Sequence, residues 1–189
     1  GSGKLFILGD SIGVGLLGTL GSELGDKWQV TGDVQQGRTI SQGITVAKGA
    51  SEDLKAAQSV LVVLGTNPDS KLTEDGAKEM VAAIKSANSS AHIYWLKLNV
   101  TRSDLIPGAT AFNGFLSAIQ GITPIDNSVI LSQDGFHPAD YKALAVDVAK
   151  SLNGSTVSTD GGDSVSVSSN CGPCTIGGSS GSVPIDGEN

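Results

Sequence analysis

Four short apolar runs punctuate the chain: Leu5 to Leu8, Val60 to Leu64, Ile93 to Leu98 and Val129 to Leu131. Three of them show no polar alternation, which is the pattern of strands covered on both faces in a parallel sheet. Trp28 to Thr31 reads as a weaker fifth strand. Between the runs, apolar positions recur at helical spacing. Ala77, Met80, Val81, Ile84 and Ala87 share one stripe behind a Thr73 cap, with Glu74 and Asp75 in the first turn. A second stripe, Tyr141, Leu144, Ala145, Val148 and Leu152, begins near Asp140. Strands alternating with helices predict an α/β domain whose five-stranded, mostly parallel sheet is covered on both faces by right-handed crossovers.

The periodicity stops at Asn153. From there to Asn189 more than half of the residues are Gly, Ser or Thr, too little apolar surface to offset the entropy of ordering. The expected organisation is therefore a domain over residues 1–152 and a Gly/Ser-rich linker or tail over 153–189, leading to a further domain. Gly1 and Ser2 read as a cloning remnant, so the native start and any targeting signal are expected to lie upstream. Cys171-Gly172-Pro173-Cys174 copies a redox tetrapeptide but lacks the helix N-terminus that would activate a thiolate. A local Cys171–Cys174 disulfide is the preferred reading, and it points weakly to a secreted or cell-surface protein.

Charge narrows the partners. A formal net charge of −7 repels a phosphate backbone, so nucleic acid is not expected. No apolar stretch approaches the roughly 18 residues of a membrane span. No His, Cys or carboxylate cluster has metal-ligand spacing, so neither metal nor cofactor is implied.

In a parallel sheet the ligand site lies outside the carboxyl ends of the strands, so the residues that follow each apolar run are the informative ones. They are Gly9-Asp10-Ser11, Gly37-Arg38-Thr39, Gly65-Thr66-Asn67 and Asp134-Gly135-Phe136-His137-Pro138. Acyl transfer needs a hydroxyl nucleophile, a base, a carboxylate to orient the base, and donors aimed at the developing oxyanion. Ser11 at a strand-to-helix turn, Gly37 with close backbone access, the Asn67 amide and the Asp134/His137 pair supply each of these. Asp10, Arg38, Asn99 and Arg102, with Asp104 in the same loop as Arg102, are candidates for substrate contact; for Arg38, solvation of the rim is the favoured alternative. His92, inside a strand-like segment, reads as a packed or edge residue.

Those four blocks, in that order and over roughly residues 4 to 152, resemble the SGNH/GDSL hydrolases. The resemblance implies a flavodoxin-like three-layer α/β/α sandwich. It also implies a serine hydrolase with Ser11, Asp134 and His137 as catalytic residues and an oxyanion hole of Ser11 N–H, Gly37 N–H and the Asn67 amide. Two departures are Pro68, where many members carry aspartate, and Ile12 after Gly-Asp-Ser in place of leucine. Neither removes a catalytic group.

Gly13-Val14-Gly15-Leu16-Leu17-Gly18 formally matches a dinucleotide fingerprint, which makes a nucleotide-binding module the competing class. Its phase is wrong: the glycines fall inside a helix and not in the turn that ends the strand, and are expected to permit close helix-to-sheet packing. The absence of a long apolar lid and the scarcity of aromatic residues favour a small acyl group, with O-acetyl groups on cell-wall or other polysaccharide as the first expectation. A lysophospholipase or thioesterase is the alternative enzyme, and a silent carbohydrate binder the other non-enzyme reading. A histidine base works only when neutral, so activity is expected to fall on acidification.

Overall fold

The computed structural model describes residues 2–154. Gly1 and residues 155–189, and with them nearly all of the expected linker and the Cys171/Cys174 pair, lie outside the described residues.

In chain order the elements are β1 (Gly3–Gly9), α1 (Ser11–Leu24), β2 (Trp28–Val34), α2 (Ile40–Lys48), α3 (Glu52–Ala56), β3 (Ser59–Val63), α4 (Glu74–Ala87), β4 (His92–Leu96), α5 (Ile106–Ala118), β5 (Ile122–Ile125) and α6 (Tyr141–Gly154). The five strands are all parallel, in the order β2-β1-β3-β4-β5. After β1 the chain moves to one side of the sheet and after β3 to the other, so a crevice opens between the carboxyl ends of these two strands.

The apolar runs alternate their side chains between two layers. Phe6, Leu8, Val60, Val62, Ile93 and Trp95 face α2, α4 and α5 and join Ile44, Met80, Ile84 and Phe112 in one core. Leu5, Ile7, Leu61, Val63, Tyr94 and Leu96 face the other way, against Leu16 and Leu20 of α1 and Leu144 and Val148 of α6. Both helical stripes read from the sequence land in these cores, and Thr73 caps α4 through the Gly76 N–H. The architecture is the expected three-layer α/β/α sandwich.

The fifth strand is a correction. It was expected at Val129 to Leu131, but the sheet is completed by Ile122–Ile125. Pro124 hides that segment from a propensity reading, yet it is tolerable because β5 is an edge strand, paired among the described residues with β4 alone. Lys97 N–H donates to the Ile125 carbonyl, so Ile125 faces β4 and Pro124, one residue away, turns its backbone outward. Val129 to Leu131 instead forms one arm of a small hairpin. Leu131 bridges Pro138 antiparallel, Ser132 N–H donates to His137 O at 2.8 Å, and Ala139 N–H donates to Ile130 O at 2.9 Å.

The glycines of α1 also differ in part from expectation. A side chain at Gly13 would crowd Val34 of β2, which fits helix-to-sheet packing, but Gly15 makes room for the Tyr141 ring of α6 and Gly18 faces open space. His92 opens β4, shares a 2.8 Å hydrogen bond with the Thr123 hydroxyl and lies against the Tyr94 ring, the packed role expected of it.

Candidate active site

β1 runs directly into α1. Asp10 is the N-cap: its carboxylate accepts from Ile12 N–H at 2.9 Å, and its own N–H is pinned to Val63 O at the end of β3. So sharp a junction needs Gly9, where an added Cβ would come within 2.9 Å of the Gly13 backbone. Ser11 is thus the first helical residue, on the crevice, and its N–H belongs to the helix-start donors that have no intrahelical partner. Its Oγ lies 2.7 Å from His137 Nε2.

The loop after the hairpin arm builds the other half. Asp134 Oδ1 accepts from the Ser132 hydroxyl at 2.8 Å, Phe136 N–H at 3.1 Å and His137 N–H at 3.0 Å, while Oδ2 lies 2.6 Å from His137 Nδ1. The His137 backbone N–H, with that ring, the Phe136 N–H and the Ser132 hydroxyl, outweighs desolvation and holds the Asp134 carboxyl well below the usual carboxylate range. An ionised Asp134 takes the Nδ1 proton as its partner and leaves the Nε2 lone pair aimed at Ser11. Gly135 makes the turn with φ +81°, where a side chain would be strained and would also strike Arg102. The Phe136 ring packs 4.3 Å from the imidazole, and the Arg102 guanidinium stands 5.8 Å over the Phe136 ring.

Gly37 sits at φ +76° in the turn after β2, closed by Arg38 N–H donating to Gln35 O. Asn67, after β3, donates one amide hydrogen to Arg38 O at 3.2 Å. That bond sets the amide plane and leaves its second hydrogen for a ligand. Between the loops after β3 and β4, with Thr66 and Pro68 in its wall, lies a pocket of about 60 Å³ also lined by Leu72, Leu98, Leu105 and Gly108.

Two of the expected substrate contacts are corrected. Arg38 is only 5% exposed and is spent inward, on an ion pair with Asp33 at 2.7 Å and on the Asp33 and Gly9 carbonyls, so it ties the ends of β1 and β2 together. Asp10 is 1% exposed and sits behind Ser11 as the helix cap. Asn99 braces the loop after β4 by donating to Val129 O at 2.9 Å. Arg102 stays exposed on the rim, held by both oxygens of Asp104 at 3.1 and 2.7 Å. Sequence reading missed Ser132, Phe136 and Asp69; only Asp69 had a local signal, an aspartate following Asn67-Pro68 where turn chemistry is common.

Burial pushes the Asp10 carboxyl up to about 6, against the opposing pull of the Ile12 and Gly13 N–H groups and of His137; its second oxygen has no hydrogen-bond partner. The folded state therefore binds the Asp10 proton more tightly than the unfolded chain does. The cost of ionising it is absent below about pH 4 and complete above about pH 7, where a shift of this size corresponds to about 3 kcal/mol. Asn is an equally good N-cap. Asp10→Asn should accordingly raise the unfolding free energy at pH 8 by up to about 3 kcal/mol and leave it nearly unchanged at pH 4, as read by urea titration at the two values. An equal effect at both would contradict this account.

Among the described residues no group of three or more His, Cys, Asp or Glu is placed to hold a metal ion, and no helix is long and apolar enough to cross a membrane.

No family profile matches the sequence, and neither does any curated protein. Solved structures do. The lipase/acylhydrolase from Enterococcus faecalis aligns with a TM-score of 0.62 at 15% identity, over 80% of this chain and 95% of that one. The C-terminal catalytic domain of Streptococcus pneumoniae peptidoglycan O-acetyltransferase A aligns at 0.59 and 16%, over 81% and 91%. A GDSL-like lipase from Bacteroides thetaiotaomicron aligns at 0.58 and 14%, over 79% and 86%. The strand order, the three layers and these likenesses together give residues 2–154 the fold of the SGNH/GDSL hydrolases.

Proposed function

We propose that this chain is a serine esterase that cleaves short-chain carboxylic esters through an acyl-enzyme. The observation that carries the reading is the relay of two short contacts, Ser11 Oγ to His137 Nε2 at 2.7 Å and His137 Nδ1 to Asp134 Oδ2 at 2.6 Å. Ser11 Oγ attacks the ester carbonyl as Nε2 takes its proton, and the Asp134 carboxylate stabilises the imidazolium that forms. The oxyanion accepts from Ser11 N–H, Gly37 N–H and the free Asn67 amide hydrogen. His137 returns the proton to the departing alkoxide, then activates the water that releases the acid.

We take the pocket between the loops after β3 and β4, about 60 Å³ and mostly apolar, as the acyl site, which limits the acyl group to a few carbons. Pockets that enclose drug-sized ligands start near 300 Å³. O-acetyl groups on cell-wall or other polysaccharide fit that size. The likeness to a peptidoglycan O-acetyltransferase domain supports the same choice, and such a substrate would put the protein's work at the cell surface or beyond it.

A series of p-nitrophenyl esters tests the substrate, and a fluorophosphonate probe tests the chemistry. kcat/KM should be greatest between acetate and butyrate and lower by at least about 10-fold at octanoate. A profile that rises toward palmitate would replace the short-acyl reading with a lipase or thioesterase. Absence of labelling at Ser11 would overturn the hydrolase reading altogether.

A further inference from the structure

The two loop-borne oxyanion donors, Gly37 N–H and the Asn67 amide, come from segments that follow different strands. The single hydrogen bond from Asn67 Nδ2 to Arg38 O spans them, and one such bond leaves a hinge. Asp69, two residues beyond Asn67, supplies the rest. Its Oδ2 accepts from Ser41 N–H at 3.2 Å, and its Oδ1 accepts from Lys71 N–H at 2.9 Å. Ser41 is the second residue of α2, whose capping residue Thr39 follows Gly37-Arg38 directly. The first bond therefore fastens the Asn67 loop to the start of a helix, where unsatisfied N–H groups and the helix dipole favour a negative charge. The second folds the Asn67 loop around its own carboxylate. Partial burial raises the Asp69 pKa, but the hydrogen bonds from Ser41, Lys71 and Thr39 outweigh it and keep the carboxyl below its usual value.

We propose that Asp69 is a positioning residue that clamps the Gly37 and Asn67 loops together and so fixes the spacing of the oxyanion donors. The inference rests on the hydrolase reading above. Asp69 touches no reacting atom; it acts through Asn67 and Gly37. A misplacement of about 1 Å in such a donor can cost up to about 10²-fold, which sets the scale of the effect.

The test is a double-mutant cycle on p-nitrophenyl acetate. Asp69→Ala is expected to lower kcat by about 10-fold with KM within about 2-fold, because the donors act on the transition state and not on the bound ester. Asn67→Ala should lower kcat by about 10²–10³. With Asn67 already replaced, removing Asp69 should cost clearly less than in wild type, about 2- to 3-fold, since only the Gly37 donor is left for it to position. Asp69→Asn, which keeps an acceptor for only one of the two N–H groups, should fall between wild type and Asp69→Ala, and it carries the cycle if thermal denaturation shows Asp69→Ala to be unfolded. Equal losses from Asp69 replacement in both backgrounds, or a raised KM with kcat intact, would overturn the proposal while leaving the hydrolase reading in place. Full turnover in Asn67→Ala would sink both.

Discussion

Ser11→Ala is expected to reduce ester turnover by about 10⁶, the scale found when a triad nucleophile is removed. Two neighbouring hydroxyls among the described residues are otherwise engaged. The Ser132 hydroxyl is bound to Asp134, and the Tyr141 hydroxyl is directed at the Ser11 carbonyl at 3.5 Å. The fold should survive, because alanine is a strong helix former and the position opens α1. One side-chain hydrogen bond is lost, worth about 1 kcal/mol. Comparing p-nitrophenyl acetate hydrolysis with the thermal midpoint separates the two effects. Residual turnover above about a hundredth of wild type would place the nucleophile elsewhere.

Asp134→Asn should cost about 10⁴ in kcat. The amide oxygen can still accept from Phe136 and His137 N–H, which hold the loop, so the change is aimed at one contact. An amide NH₂ placed against Nδ1 reverses the polarity there and moves the ring proton to Nε2. The atom that should accept the Ser11 proton then carries one of its own. KM should move little, since neither atom of that contact is expected to bind the ester. A loss of only a few-fold would mean that the imidazole is oriented by its packing against Phe136 and not by the carboxylate.

Much of this site was legible in the sequence because strand ends in a parallel sheet are few and three of the five are marked by apolar runs. β1, β3 and β4 are such runs, and Ser11, Asn67 and the loop after β4 follow from them. β5 was not legible, since Pro124 and Thr123 erase its pattern and Val129 to Leu131 mimics a strand closely enough to take its place. That error left the site reading intact, because the misplaced segment still leads into Asp134. Arg38 and Asp10 were misjudged for a different reason. A charged residue next to a catalytic block looks like a substrate contact in sequence, and only burial and partners reveal that Arg38 is consumed by Asp33 and Asp10 by the helix it starts. Asp69 went unnoticed because the turn signal around it says nothing of its partners across the site, Ser41 and Thr39, which lie about thirty residues earlier in the chain.

The outward-facing imino acid at position 124 does more than obscure a pattern. The far margin of a sheet is where a stray extended segment would add itself by main-chain bonding, and Pro124 offers no donor at the point where such a visitor would need one. Replacing it with valine would restore that donor and leave the margin open to self-association at high concentration.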